Sequence, residues 1–141
     1  MLLLSTRLFL IASTHLVEGY SKKVKITAPD IAEKCNVNSR ALMPALRRLT
    51  QVSILKSQVG GREPGFIFAR DPAKISLYEV IVALEGEYQM CNCRNLIEDV
   101  KCEIKDCDEC LLYKSINNGL SRMIHDLKKT TIVDYNCSSS I

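Results

Sequence analysis

The strongest constraint on this chain lies between residues 27 and 69, where two short helical segments are followed at once by a strand, a glycine-rich turn and a second strand. Thr27 stands three residues before Asp30 with Pro29 between them, a helix-start signal, and the segment 28–35 turns Ile31 and Ala32 inward. Asn36-Val37-Asn38 interrupts it, and Asn38 or Ser39 can cap a further helix, the third of the chain, running to about Thr50. Residues 54–59 alternate like a strand, Gly60 to Gly65 form a turn, and 66–69 read as another strand. Two short helices across a tight turn, with a hairpin directly behind them, predict a winged helix-turn-helix.

The flanks are helical. Leu4, Leu8, Ile11, Ala12 and Leu16 recur at helical spacing, so 4–18 reads as an amphipathic helix ended by the basic turn Gly19 to Lys23. Ser76 opens another helix, with Leu77, Val80, Ile81 and Leu84, that ends near Gly86. From Leu111 a stripe of Leu112, Ile116, Leu120, Met123, Ile124 and Leu127 predicts a helix about 20 residues long. A chain of 141 residues offers little surface to cover that stripe, so a second copy is expected to do so, making a homodimer. The expected fold class is mainly α with a small β-hairpin wing: a winged helix-turn-helix plus a long C-terminal dimerisation helix. The expected organisation is a winged-helix domain at 1–86, a cysteine-rich sensor loop at 87–110, the dimerisation helix at 111–133 and a disordered tail at 134–141.

Several function classes fall away. No stretch approaches about 18 uninterrupted apolar residues, so no membrane span is predicted. Arg7 stands inside the apolar start instead of before it, and no small-residue cleavage site follows, so a cytoplasmic protein with reduced thiols is expected. His15 and His125 are the only histidines and neither has an acid or nucleophile at motif spacing, so the chain does not read as an enzyme. The glycines at 60, 61 and 65 lack the lysine–serine ending of a phosphate loop and read as the hairpin turn.

The net charge of +3 says little about partners, but its distribution says more. The third helix carries Arg40, Arg47 and Arg48 beside Asn38 and Ser39; Lys22, Lys23 and Lys25 precede the second helix; Lys56 and Arg62 lie on the hairpin. Packed as a winged helix, these cations neutralise backbone phosphates while the start of the recognition helix reaches base edges of duplex DNA. Arg62 at the wing tip suits a narrow minor groove. The plainer alternative is a set of solvated arginines.

Seven cysteines are present, five of them between Cys91 and Cys110: Cys91, one residue, Cys93, eight, Cys102, four, Cys107, two, Cys110. Soft thiolates gathered beside a helix start suit an iron–sulphur cluster or zinc, and a helix N-terminus favours the thiolates of Cys107 and Cys110. A metal-free thiol switch among Cys102, Cys107 and Cys110 is a second reading. Zinc is a third, though its four-thiolate sites usually pair two Cys-x-x-Cys knuckles; cysteines without any ligand role are a fourth. Cys35 reads as core and Cys137 as a free tail thiol.

Taken together the chain resembles the IscR/NsrR-type family of winged-helix transcriptional regulators, iron–sulphur and redox sensors, over about Leu4 to Ile132. The resemblance rests on Ser5-Thr6-Arg7 at the first helix, residues 27–33 on the second, and Ser39-Arg40-Ala41-Leu42 with Leu46-Arg47-Arg48-Leu49 on the third. Residues 54–57, 65–72 and 75–81 continue it. It implies a homodimer on a near-palindromic operator in double-stranded DNA, with Thr6 and Arg7 added to the DNA-contacting set. It also implies a 2Fe-2S or 4Fe-4S cluster held by Cys93 (Cys91 as the alternative), Cys102 and Cys107, with Cys110 where some members place a histidine. Three features depart from the family pattern. Pro44 falls inside the recognition helix, requiring a kink or a late start; Met43 replaces a glutamate that some relatives use to choose operators; the wing turn is one residue longer. A regulator acting by thiol oxidation, or by binding a partner protein, is the alternative function.

Overall fold

The computed structural model describes residues 2–58, 65–88 and 107–138. Among them the order is α1 (Leu4–Lys22), β1 (Ile26–Thr27), α2 (Ala28–Cys35), α3 (Ser39–Gln51), β2 (Leu55–Ser57), β3 (Gly65–Phe68) and α4 (Leu77–Glu85), with a 3-10 turn at Pro72–Lys74. A second 3-10 turn, Cys107–Glu109, leads into α5 (Leu111–Lys129) and α6 (Ile132–Ser138). This is the mainly helical winged helix that the sequence predicts.

Local chemistry sets the helix ends. The Thr27 hydroxyl accepts from the Asp30 N–H at 3.3 Å, and the Asn38 side chain accepts from the Arg40 N–H at 2.9 Å. Ser76 and Glu79 form a reciprocal capping box on α4. Asn36 and Ser53 adopt left-handed φ of 53° and 62°, so that α2 and α3 close on their own last carbonyls.

The core gathers Phe9 and Leu16 of α1, Ile31 of α2, Leu42, Leu46 and Leu49 of α3, and Leu55, Phe66 and Phe68 of the sheet, with Ile75, Val80 and Ile132. Each such side chain contributes about 1.5–3 kcal/mol on burial. Pro44 does not break α3, because it lies on the exposed side opposite Leu42, Leu46 and Leu49. Arg40, whose carbonyl it leaves without a helical partner, is an exposed residue as well.

Three expectations need correction. First, α1 continues to Lys22 through the expected turn. Gly19 is an interior, buried residue of the helix, placed where a Cβ would stand 2.8 Å from the returning Val24 carbonyl. Second, the hairpin is part of a three-stranded antiparallel sheet in the order β1-β3-β2, with Ile26 opposite Phe66 and Leu55 opposite Phe68. A Cβ on Gly65 would lie 2.8 Å from Lys25 Cβ, so this glycine lets β1 come close. Third, the C-terminal helix stops at Lys129, and residues 132–138, expected as helix end and disordered tail, form α6. Asp134 accepts from the Thr131 N–H and hydroxyl at 2.9 and 2.8 Å, which starts the new helix. Ile132 is fully buried and Asn136 accepts from Thr14 Oγ1 at 2.8 Å, which docks α6 on α1.

Candidate nucleic-acid interface

Helix α3 buries Leu42, Ala45, Leu46 and Leu49 on one side. Helical periodicity therefore places Arg40, Pro44, Arg47 and Gln51 in one row on the other, and all four are exposed. At the hairpin edge of that row, Met43, Arg47, Thr50 and Gln51 meet Ser57 and Phe66 around an open cleft of about 320 Å³. Helix α3 and the wing root thus form one continuous surface. Lys25 donates to the Gln58 side-chain oxygen, fixing the wing root to the segment before β1. Gln51 was not singled out from the sequence, although its i+4 spacing from Arg47 would have found it.

The expected contact residues do not all converge there. Asn38, Ser39, Arg40 and Arg47 lie at the start or on the outer row of α3, with Asn38 engaged as its N-cap. Arg48 points elsewhere: its Nε donates to the Ala83 carbonyl of α4 at 3.0 Å. Lys56 pairs with Ile67 in the sheet, a register that alternates with Ser57 and Phe66, so it lies on the opposite sheet face. There it borders a separate cleft of about 560 Å³ with Tyr20, Lys23 and Asp71. Lys22 pairs with Glu18 on α1. Arg7 is exposed on α1. Thr6 is a correction: its side chain is fully buried and its Oγ1 has no hydrogen-bond partner among the described residues, so it offers nothing to DNA in this conformation. Arg62 lies outside the described residues.

Of the expected metal ligands, Cys91, Cys93 and Cys102 also lie outside the described residues. The backbone of Cys107 belongs to the 3-10 turn before α5, and Cys110 is the half-buried N-cap residue of that helix, with a free thiol. Among the described residues no three His, Cys, Asp or Glu side chains come together as a metal site. Cys35 is a free, half-buried thiol packed against the core, near the place expected for it, and burial pushes its pKa up. Cys137 is free and exposed on α6.

Helix α5 buries only Asn117 among the described residues. Its apolar stripe is open in part: Leu111 is 80% exposed, Leu112 63%, Ile116 43% and Met123 40%, while Leu120, Ile124 and Leu127 are half-buried. Among the described residues no helix is long and apolar enough to cross a membrane.

Known structures share this architecture. CymR (YrzC), the global cysteine regulator of B. subtilis, superposes with a TM-score of 0.70 at 19% identity, covering 98% of this chain and 97% of that one. IscR of T. potens gives 0.71 at 19% identity, covering 99% and 88%. The oxidised form of Staphylococcus aureus CymR gives 0.69 at 21% identity, covering 96% and 94%. At these identities the likeness speaks for the fold. No curated protein matches the sequence significantly. The model of the Rrf2 family, described as iron-dependent transcriptional regulator, matches residues 5–136. With nearly its whole length so matched, and a winged helix with an exposed arginine row as its fold, the chain belongs to the Rrf2 family of transcriptional regulators.

Proposed function

We propose that this regulator works as a cytoplasmic homodimer that binds a near-palindromic operator in double-stranded DNA, with an affinity that depends on its cysteine segment. The observation that carries the reading is the exposed row Arg40, Pro44, Arg47 and Gln51 beside the wing root. Arg40 and Arg47 supply phosphate neutralisation or guanine contacts, and Asn38 and Ser39 stand at the end of the helix that enters the major groove first. The open stripe on α5 supports the dimer, since pairing two copies removes those side chains from water. A two-fold dimer presents its recognition helices to half-sites about one DNA turn apart, which is the reason for a near-palindrome.

For the cysteine segment the leading assignment is an iron–sulphur cluster, 2Fe-2S or 4Fe-4S, held by Cys93 (or Cys91), Cys102 and Cys107, with Cys110 as a further ligand. The described part of this set is in keeping with it: Cys107 and Cys110 directly precede α5, side by side with the segment that carries the other cysteines. When bound, a cluster supplies redox sensitivity. The second reading is a cluster-free thiol switch. The likeness to an oxidised form of CymR and the free thiol at Cys110 favour it.

The test has two parts. Duplex affinity is measured against salt for wild type, Arg40→Ala and Arg47→Ala; each variant is expected to lower the slope of log affinity against log salt by about one. Salt-independent or absent duplex binding would refute the DNA reading. Protein purified without oxygen is then examined for absorption, iron and sulphide, and its affinity is compared before and after oxidation. Stoichiometric iron and sulphide select the cluster; a colourless protein whose affinity changes on oxidation selects the thiol switch. Affinity that ignores both treatments, and also the Cys102→Ala/Cys107→Ala double variant, removes the sensing role.

A further inference from the structure

Helix α4 lies between the DNA-reading and dimer-forming parts of the chain. At its start, the Leu77 N–H donates to the Thr130 carbonyl at 2.8 Å, and Lys128 of α5 stands 4.8 Å from the centre of the Tyr78 ring. Its other end leads into the cysteine segment, with Cys91 six residues beyond Glu85. That end meets α3 through Arg48, whose Nε donates to the Ala83 carbonyl across 35 residues of sequence.

The chemistry of that bond makes it conditional. Ala83 belongs to the last turn of α4, where carbonyls have no helical partner because the chain stops at Glu85. Gly86, at φ 90°, ends the helix, and its N–H bonds back to the Val82 carbonyl at 2.9 Å. Ala83 is next in that series. Were α4 to continue by a turn, the Glu87 N–H would also donate to the Ala83 carbonyl, which would then be shared with the Arg48 guanidinium and hold it less strongly. Arg48 is exposed, at the rim of an open groove of about 360 Å³ shared with Val52, Tyr78, Val82 and Ala83. It therefore has room to leave α4, and it is on the helix whose outer row carries Arg40 and Arg47.

We propose that Arg48 is a positioning residue whose guanidinium couples the C-terminal turn of α4 to the DNA-reading helix, the end of α4 and the operator each biasing the same bond. The proposal rests on α3 being the DNA-reading helix, and it names the route by which a change in the cysteine segment reaches that helix. By linkage the coupling runs both ways: DNA on α3 must alter α4's last turn as surely as that turn alters affinity.

Backbone hydrogen exchange of the full chain, with and without a duplex selected from a random library, tests this. In wild type the duplex is expected to change exchange at Gly86 and Glu87 by about tenfold, within the usual range of coupling between sites. Arg48→Met keeps the aliphatic stem but has no donor. It is expected to bring that change down to about twofold or less, while exchange in the core of α3 stays as in wild type. Arg48→Lys keeps the charge, and salt-dependent binding is expected to survive in it. A duplex-induced change at α4 that persists in Arg48→Met, or none in wild type that binds the duplex, overturns the coupling. A chain that binds no duplex overturns this proposal and the DNA reading together. Affinity indifferent to oxidation, with the Arg48-dependent response intact, supports the coupling and removes only the sensing role.

Discussion

Replacing Thr6 by valine separates a structural side chain from a DNA-contacting one. Thr6 is fully buried in α1, and its Oγ1 has no hydrogen-bond partner among the described residues. A buried hydroxyl without a partner costs about 1–3 kcal/mol, whereas the valine methyl is nearly the same size and gains on burial. Both residues are β-branched, so helix propensity barely changes. Thr6→Val is therefore expected to stabilise the chain by about 1 kcal/mol, raising Tm by roughly 4 °C for a domain of this size. Thr6→Ser, which keeps the hydroxyl and removes the methyl, should destabilise by about 1 kcal/mol. The assay is thermal and urea unfolding at one fixed protein concentration, because pairing of copies makes apparent stability concentration-dependent. Duplex affinity is measured on the same samples and should be unchanged in Thr6→Val. Lower stability in the valine variant would refute the reasoning by showing that the hydroxyl has a partner. Unchanged stability with weakened DNA binding would return Thr6 to the interface.

Three further outcomes follow from single contacts. Asn38→Ala removes the acceptor for the Arg40 N–H and should cost about 1 kcal/mol in unfolding without DNA, since N-cap losses fall in that range. Ile116→Glu puts a charge into the open stripe of α5; light scattering is expected to show a monomer with unchanged circular dichroism and little operator binding, while an intact dimer would show that this stripe is not the interface. Burial pushes the Glu79 pKa up, but the Arg70 guanidinium at 2.9 Å and the Ser76 N–H and hydroxyl outweigh it and hold the carboxyl below its ordinary value. A depressed folded value means stability that is present above the unfolded pKa of about 4.3 and is lost as pH falls through the folded one. Glu79→Gln should flatten that acid limb in urea midpoints measured against pH, and an unchanged profile would exclude the pair as its source.

Most of the helices could be read from residue order because their signals are local. Thr27, Asn38 and Ser76 each bond a backbone N–H two or three residues ahead, so a helix start is written within one turn of chain. The apolar rows of α3 and α5 follow from spacing alone, and so does the winged-helix order of elements. Spacing does not say what a row faces. Strand β1 is two residues long and has no period of its own; it exists because β3 lies beside it. Lys56 and Arg48 read as members of one basic patch, yet strand register turns the first to the far side of the sheet and a carbonyl 35 residues away holds the second. Thr6 resembles a polar opening of α1 until the core closes over it, and residues 134–138 resemble a tail until Ile132 joins the core and Asn136 finds α1. The physical reason is common to all five. Caps and periodicity act over a few residues, whereas burial and pairing depend on surfaces that distant segments supply only after the chain has collapsed.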